Sequence, residues 1–429
     1  MESGRETASA PAQAPRIATG DGGAPDDDRA LADDFDLLAL PDSFYDDPYP
    51  TYRALRRHAP VKPIAGGVLL TRHADVLRVY KDTALFRSDK KAEFGPKFGD
   101  SPLYRHHTTS LVFNDPPLHT RVRRLIMGAL SPRVVADMEP ALVALVDRLL
   151  DRLAARAGPV DLVADFAAAI PVEIIGNLLG VPHDEREPLR DWSLAILGAL
   201  EPSISPAQFD RGNAAVTAFL AYLEGLVAAR RARPGDPERD VLTRLIRGEG
   251  DGERLSQEEL LQQCIFILNA GHETTTNLIG NALVLLCDWP EERRRLLAEP
   301  GLIRTAVEEF LRFESSNQLG NRGTAAATEV GGVALPAGTG VTLCIGAANR
   351  DPEVFADPDR LDLGRQPNRH LAFGGGPHQC AGLAVARLEG IVAIGRFLAR
   401  FPEFRLTERP RRNRRARFRG FGAIGATLA

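Results

Sequence analysis

The stretch FGGGPHQCAG, residues 373–382, carries the strongest structural signal in the chain, and an amphipathic pattern over Leu383–Arg400 follows it. Three consecutive glycines and a proline force a tight loop that brings backbone N–H groups round to one point. Cys380 lies where this loop meets the predicted helix N-terminus, and both features favour a thiolate over a thiol. A soft thiolate with no second cysteine nearby suits a single axial bond to a metal that brings its own equatorial ligands, as in a heme.

Three other interpretations of this loop stay open from the residues alone. It could cradle a phosphate, although no Gly-Lys-Ser/Thr sequence follows the glycines. Cys380 could be a nucleophile with His378 as its base, although a base two residues before its nucleophile would be unusual. The loop could also be an inert turn. The chemistry of an isolated thiolate favours the heme over these alternatives.

The segment Arg254–Trp289 predicts a long helix with an unusual centre. Ser256 followed by Glu259 forms a capping box, and Pro290 lies just past the end. About 31 helical residues at 1.5 Å each span roughly 46 Å, which is enough to cross a whole domain. Its apolar flanks predict burial, yet its middle reads AGHETTTN over residues 270–277. Glycine and three consecutive threonines weaken a helix, which indicates either a functional site or a packing kink.

These two segments and two further motifs make the chain similar to the bacterial cytochrome P450 family. Residues 373–382 fit the pattern FGxGxHxCxG, and AGHETT at 270–275 resembles the family's oxygen-activation motif. Glu309-Phe-Leu-Arg312 fits ExxR, and DPPLHTRVR at 115–123 resembles DPPxHxxxR. The resemblance implies a mainly α fold with small β-sheets (α+β), in one domain whose long central helix lies over a heme. Residues 315–318 depart from the family, because many bacterial members have Ser-Pro there.

The resemblance also implies a role for particular residues, beginning with Cys380 as the axial ligand of a heme b. Thr274 and Glu273 would supply protons, since splitting O–O needs two protons in an otherwise dry site. The other heme contacts, including four polar partners for the propionates, would be His119, Arg123, Ala270, Gly271, Arg322, Phe373, Gly374, His378 and Gly382. The expected substrate contacts are Phe266, Asn269, Gln318 and Leu319. The expected structural network beneath the heme is Glu309, Arg312 and Arg360.

The activity that the resemblance implies is insertion of one atom of O₂ into a small organic substrate, a secondary metabolite or a xenobiotic. Electrons would come from a separate ferredoxin and an NAD(P)H-dependent reductase. The same fold could instead couple, desaturate or rearrange its substrate. A non-catalytic heme sensor is a further alternative, but the Glu273-Thr274 pair argues against it because a sensor needs no proton relay.

Composition excludes several other classes of protein. The 53 Lys and Arg residues against 57 Asp and Glu give a net charge of −4, so no basic excess indicates nucleic-acid binding. The 4 cysteines form no CxxC pair, which argues against a disulfide scaffold or a zinc site. No run of 18 apolar residues predicts a membrane span, and no signal peptide is apparent, so a cytoplasmic protein is expected.

The two ends of the chain have unusual compositions. Residues 1–35 are rich in Ala, Pro, Gly and Asp and predict a disordered tail, which leaves residues 36–429 as the heme-thiolate monooxygenase domain. The segment Arg409–Arg419 contains seven arginines. Pro410, Gly420 and the lack of an aromatic stacking platform favour a solvated hairpin over a nucleic-acid or membrane patch.

Overall fold

The computed structural model describes residues 25–237, 240–248 and 254–428. Within these ranges the chain is mainly helical, as the sequence predicts. The helices are α1 (Pro25–Asp33), α2 (Asp42–Asp46), α3 (Tyr49–His58), α4 (His73–Lys81), α5 (Lys91–Phe98), α6 (Pro102–Thr109), α7 (Leu118–Ala129), α8 (Pro132–Ala154), α9 (Ala169–Leu179), α10 (Glu187–Gly198), α11 (Pro206–Ala232), α12 (Val241–Arg247), α13 (Gln257–Asp288), α14 (Pro290–Ala298), α15 (Ile303–Phe313), α16 (Ile345–Ala348) and α17 (Leu383–Arg400).

Three small sheets complete the described fold. Their strands are β1 (Val61–Ile64), β2 (Gly67–Leu70), β3 (Phe86–Arg87), β4 (Val160–Asp161), β5 (Leu319–Thr324), β6 (Thr328–Val330), β7 (Val333–Leu335), β8 (Gly340–Cys344), β9 (Arg405–Leu406) and β10 (Gly425–Thr427). The largest sheet has the order β1-β2-β8-β5-β3, and the others are β4-β10-β9 and β6-β7. In the largest sheet β2 pairs in parallel with β8, and β5 pairs antiparallel with β8 from Leu319 opposite Cys344 onward.

Glycine is required where β2 begins beside β8. A Cβ on Gly67 would overlap the carbonyl oxygen of Gly340, and a Cβ on Gly340 would press against the carbonyl oxygen of Gly66. The two backbones can therefore approach only because neither residue carries a side chain. This contact joins the early hairpin of β1 and β2 to strands that follow more than 250 residues later in the chain.

Helix α13 is the central helix that the sequence predicts. It has 32 residues, and Ser256 and Glu259 form the expected capping box at its start. The helix packs against α9, α10, α11, α15 and α17, so most of its surface is buried. It continues through residues 270–277, where the hydroxyl of Thr276 donates back to the carbonyl of His272 at 3.0 Å. The apolar flanks of α13 thus pack in the core, and its polar centre is buried with them.

The prediction of a disordered tail is wrong for residues 25–35. Residues Pro25–Asp33 form α1, and its Ala32 is fully buried against the neighbouring helix α3. Asp28 pairs with Arg57 at 3.0 Å, and the Asp33 carbonyl accepts from Lys62 Nζ at 2.9 Å. A composition rich in small and acidic residues concealed this short docking helix, because its stability comes from contacts with α3. Residues 1–24 lie outside the described residues.

Among the described helices, α11 is long and apolar enough to cross a membrane by length and composition alone. A third of its most apolar window is buried inside the protein, and the helix packs against α10, α13 and α6. Its buried residues include Val216, Phe219 and Leu223, which belong to the main hydrophobic core. A core helix of a soluble protein passes the same test, so this is weak evidence for a membrane span.

Candidate active site

The cysteine loop folds as a tight turn before α17. Cys380 N–H donates to the Phe373 carbonyl at 2.9 Å, and Gly374 N–H donates to the Leu371 carbonyl at 2.8 Å. Gly374 and Gly376 have φ of 67° and 65°, which is left-handed backbone that favours glycine. A Cβ on Gly376 would also overlap the Tyr80 carbonyl oxygen. The glycines therefore set the position of Cys380 beneath a cavity.

Protein surrounds Cys380, yet its side chain is exposed to the cavity. Burial raises the pKa of the thiol, while the Gly382 N–H and the guanidinium groups of Arg123 and Arg387 act in the opposite direction. The loop N–H thus acts toward the thiolate as expected, but desolvation is the larger effect and raises the pKa overall. A metal bound at the sulfur would supply the missing stabilisation, since a coordinating thiol loses its proton.

A cavity of about 360 Å³ lies between the cysteine loop and α13. Phe373, Gly374 and Gly382 line it on the loop side. Ala270, Gly271 and Thr274 line it on the helix side, and Ala270 is exposed although it lies in the middle of a buried helix. The structure thus brings together the loop and helix residues that the sequence assigns to one heme site.

Polar side chains on the cavity wall fit the propionates of a heme. The rings of His119 and His378 lie 3.9 Å apart, and His119 Nε2 and Arg322 Nε are buried without a hydrogen-bond partner. Arg123 also lines the cavity. Burial and the neighbouring cations lower the pKa of His378 to about 3. Two carboxylates at this place would give these donors their acceptors, so the residues present fit the cofactor.

Thr274 and Glu273 are adjacent in α13 but face different surroundings. The Thr274 hydroxyl donates to the Ala270 carbonyl at 2.9 Å and borders the cavity. Glu273 is 3% exposed and does not line the cavity; its Oε1 pairs with Arg415, and its Oε2 has no partner. Burial raises the pKa of Glu273 to about 7, although Arg415 opposes that shift. The carboxyl can therefore gain or lose a proton near neutral pH.

Glu389 of α17 is a cavity residue that sequence reasoning missed. It is 3% exposed, lines the cavity and has an Oε1 without a hydrogen-bond partner. Burial raises its pKa to about 8, and a hydrogen bond with Thr275 opposes the shift. The signal was a lone acid in the apolar run LEGIVAIG over residues 388–395. The helix pattern alone indicates that this face of α17 is buried, and it does not explain why Glu389 lies there.

The ExxR motif forms the core of a buried network. Arg312 Nε and Nη2 donate to the two carboxylate oxygens of Glu309, both at 2.7 Å, and both side chains are fully buried. The prediction that Arg360 is the third partner is wrong, because its side chain is exposed and only its carbonyl accepts from Arg312, at 3.2 Å. Arg365 Nε pairs with Glu309 at 3.1 Å instead, since the turn after Pro358 directs residue 365 inward.

The expected substrate contacts divide into those that reach the cavity and one that does not. Phe266, Asn269 and Leu319 line it, and both amide atoms of Asn269 are buried without a partner. Gln318 does not line the cavity; its Nε2 donates to the Ser315 carbonyl at 2.7 Å, and its backbone bonds to Arg417 and Ile345. Placing Gln318 among the substrate contacts was therefore wrong. Cavity residues that sequence reasoning missed include Leu197, Leu200, Ser316, Asn317, Arg417 and Phe418.

The arginine-rich segment is folded into the protein. Arg419 is 5% exposed and donates to Glu314 at 2.6 Å, and Arg412 donates to the same carboxylate at 2.9 Å. The expected solvated hairpin is wrong for these residues because buried carboxylates on other elements compensate their charges. Asn317 and Phe418 form a β-bridge that holds the segment against the start of β5.

Comparison with known proteins gives consistent matches along the chain. The family model of cytochrome P450 matches residues 58–421. Cytochrome P450 107B1 of Saccharopolyspora erythraea is 40% identical over 390 residues, which cover 87% of this chain and 93% of that protein. Vitamin D(3) 25-hydroxylase of Pseudonocardia autotrophica is 41% identical over 370 residues, with 85% and 89% covered.

A solved structure shares the fold. The crystal structure of P450BioI in complex with hexadec-9Z-enoic acid ligated acyl carrier protein aligns with a TM-score of 0.84 and 33% identity, covering 91% of this chain and 100% of that chain. From the site geometry and these matches, the chain belongs to the cytochrome P450 family of heme-thiolate monooxygenases, with heme b as its cofactor.

Proposed function

We propose that this P450 hydroxylates a small, largely apolar organic molecule, a secondary metabolite or a xenobiotic, in the cytoplasm. Electrons come from a separate ferredoxin and an NAD(P)H-dependent reductase. The observation that carries the proposal is the placement of Ala270 and Thr274 across an apolar cavity from Cys380. The surface of the cavity wall is mainly apolar, with Leu, Ile and Phe prominent among its residues, which suits an apolar substrate body. The vitamin D(3) 25-hydroxylase and the biotin biosynthesis cytochrome P450 among its relatives also carry names of small-molecule metabolism.

Different residues of the site bind the substrate, orient it and transfer protons. When bound, the heme supplies the redox chemistry of O₂ reduction. Thr274 places a hydroxyl at the cavity, where it can pass a proton, and Glu273 behind it can carry one because its pKa is near 7. Glu389 offers a second protonatable carboxyl on the cavity wall. The apolar lining excludes water and so limits loss of reducing equivalents.

The substrate is oriented by the few polar groups of the wall. Asn269 is 2% exposed and lines the cavity with an amide that has no protein partner. A buried amide left unpaired costs free energy, and a polar group of the substrate would restore its hydrogen bonds. Phe266 and Leu319 contribute apolar contact on the same wall. Asn269 is thus the proposed orienting contact for the substrate.

The heme-thiolate assignment is tested first by spectroscopy. Purified protein is reduced and treated with carbon monoxide, and the red-shifted band of a thiolate-ligated carbonyl complex is expected. Cys380→Ala should abolish the band, whereas Cys287→Ala, which removes a thiol elsewhere in the fold, should leave it unchanged. A heme-loaded Cys380→Ala protein with the unaltered band would overturn the assignment.

Turnover separates hydroxylation from its alternatives. The protein is supplied with a surrogate ferredoxin, its reductase, NADPH and a ligand library, and products are examined after reaction under ¹⁸O₂. Hydroxylation places one labelled oxygen atom in the product, whereas coupling, desaturation or rearrangement gives products without that atom. NADPH oxidation without an organic product across the whole library would favour a heme sensor instead.

A further inference from the structure

Arg417 is a half-buried cation on the wall of the substrate cavity. Its Nε donates to the Leu200 carbonyl at 3.1 Å, and its Nη1 donates to the Leu319 carbonyl at 2.7 Å. Its Nη2 donates to Asn321 Oδ1 at 2.5 Å. These contacts join the C-terminal segment to the end of α10 and to β5. All three acceptors are neutral, so none of them balances the positive charge of the guanidinium.

The other arginines of the same segment show that this is unusual. Within the described residues, Arg412 and Arg419 pair with Glu314, Arg414 pairs with Asp42, and Arg415 pairs with Glu273. Arg417 makes no comparable ion pair with any described carboxylate, although desolvation lowers its pKa. It is also the member of this group that lines the cavity. Arg412, Arg414, Arg415 and Arg419 are thus compensated by carboxylates on other elements, whereas Arg417 faces the space for substrate.

The carboxylates of Glu201 and Glu93 lie close enough to raise the pKa of Arg417, but neither makes an ion pair with its guanidinium. Glu201 Oε1 is buried without a hydrogen-bond partner. Glu201 Oε2 accepts the backbone N–H groups of Ala416 and Arg417, at 2.8 and 3.1 Å. Glu93 pairs with Lys90 at 2.6 Å. Lys97 adds a further positive charge to this region, and its pKa falls to about 8 through burial and the charge of Arg417.

The described cavity wall contains no ionised carboxylate that could balance Arg417. Glu389 is the carboxylic acid that lines it, and a pKa of about 8 keeps this group protonated at neutral pH. Arg123 and Arg322 also line the cavity, and the two propionates of a heme b match their two charges. Once those pairs are counted, Arg417 is the arginine of the described cavity wall that has no ion-pair partner, although the charges of Glu201 and Glu93 act on it from outside the cavity.

We propose that Arg417 makes the cavity selective for organic substrates that carry a carboxylate on an apolar body. The inference rests on the proposed function, because it assigns a substrate class to the same cavity. A planar guanidinium that already holds its plane through three hydrogen bonds can offer its remaining N–H groups to a carboxylate without losing side-chain entropy. The fixed position of Arg417 also sets where along the substrate body the oxidised carbon lies.

The test compares matched ligands on the heme-loaded protein. Carboxylic acids with alkyl, aryl and terpenoid bodies are titrated beside their methyl esters, and binding is followed by the Soret shift and by calorimetry. At least one acid should bind about 10 to 100 times more tightly than its ester, which is the range expected for a buried hydrogen bond to a charged group. Rising salt should weaken this preference little, because the pair is buried.

Three variants test whether the preference for acids over esters depends on the Arg417 side chain. Arg417→Gln should remove the difference between acid and ester, and Arg417→Lys should retain part of it. Arg414→Gln is the matched control, because it removes a charge from the same segment at an exposed ion pair. It should leave the ratio unchanged. Heme content and unfolding temperature are measured for each variant, so that a folding defect is recognised before ligands are compared.

Two results would overturn the inference while leaving the proposed function intact. One is a wild-type protein that binds esters as tightly as acids across the panel. The other is an Arg417→Gln protein that keeps its heme and still prefers the acid. Failure of the proposed function has a different signature, namely loss of the thiolate carbonyl band or an absence of labelled product from any ligand.

Discussion

Two buried polar regions of this P450 differ in how completely their hydrogen-bonding groups are paired. In the network around Glu309, the carboxylate accepts from Arg312, Arg365, Asn368 Nδ2 at 3.1 Å and the backbone of Asp362 at 3.0 Å. Around the cavity, by contrast, Asn269, Glu389 and Glu273 each keep at least one buried polar atom without a protein partner. Native proteins rarely leave such atoms unpaired without reason.

The difference distinguishes buried polar groups that stabilise the fold from buried polar groups that are available for function. A network such as that around Glu309, in which both carboxylate oxygens are paired, holds one arrangement of the loops before the cysteine loop. The cavity groups cost stability in the absence of ligand, and they are available to bind a substrate or to carry a proton. Substitutions in the two regions should therefore affect different properties of the protein.

The largest effect is expected from Glu309→Ala. The substitution leaves the buried guanidinium of Arg312 without its carboxylate, and removing one partner of a buried ion pair costs about 3–5 kcal/mol. Urea unfolding and heme content of the purified protein measure the loss. Arg360→Ala is the matched control and should change stability by less than about 0.5 kcal/mol, because that side chain is exposed. Equal losses from both variants would contradict the role given to Arg365 and Glu309.

A smaller effect is expected from Glu389→Gln, and it depends on pH. The pKa of Glu389 is raised from its ordinary 4.5 to about 8, so the folded protein binds a proton that the unfolded chain releases between these values. Wild-type stability should therefore be full below about pH 4.5 and decline as pH rises to about 8. Unfolding free energies measured across this range should decline less steeply for Glu389→Gln. Parallel pH dependences would show that Glu389 does not stay protonated in the fold.

Arg415→Gln should change proton delivery more than stability. Arg415 opposes the upward shift of the Glu273 pKa, so its removal should raise that pKa above about 7. The pH profile of product formation should move toward alkaline pH by about 1 unit, which corresponds to about 1.4 kcal/mol. Arg414→Gln should leave the profile in place. An unshifted profile for Arg415→Gln would mean that Glu273 does not limit turnover.

The smallest effect is expected from Asn269→Leu. Removing an unpaired buried amide should stabilise the ligand-free protein by about 1 kcal/mol, since no hydrogen bond is lost. The same change should weaken binding of the substrate about tenfold, as measured by the Soret shift. Phe266→Leu, on the same cavity wall, controls for altered volume. Unchanged affinity in Asn269→Leu would refute the orienting contact.

Local patterns allowed much of the fold and of the heme site to be predicted. The cysteine loop, α17 and the capped start of α13 each depend on residues close in sequence, so their motifs could be read without the fold. The pairing of Glu309 with Arg312 is local in the same sense. Each of these predictions is confirmed by the structure.

Contacts between distant segments account for what the sequence did not reveal. Arg365 and Arg360 lie in one loop, and only the path of that loop decides which guanidinium reaches Glu309. Gln318 alternates with Leu319 along the start of β5, so a pattern of residue types could not tell which one faces the cavity. The ion pairs of Arg412 and Arg419 need Glu314, about 100 residues earlier, and a charge run in isolation is read as solvated.

The attachment of residues 412–419 to α10, α13 and β5 has a consequence for biosynthesis. Translation delivers the other walls of the cavity, including the cysteine loop, before this segment leaves the ribosome. A nascent chain that has emerged only through residue 400 lacks the side of the cavity that Arg417 and Phe418 form in the complete fold. The cavity should therefore be enclosed late in synthesis. In ribosome-bound intermediates, Arg417 and Phe418 should join the cavity wall after the cysteine loop and α13.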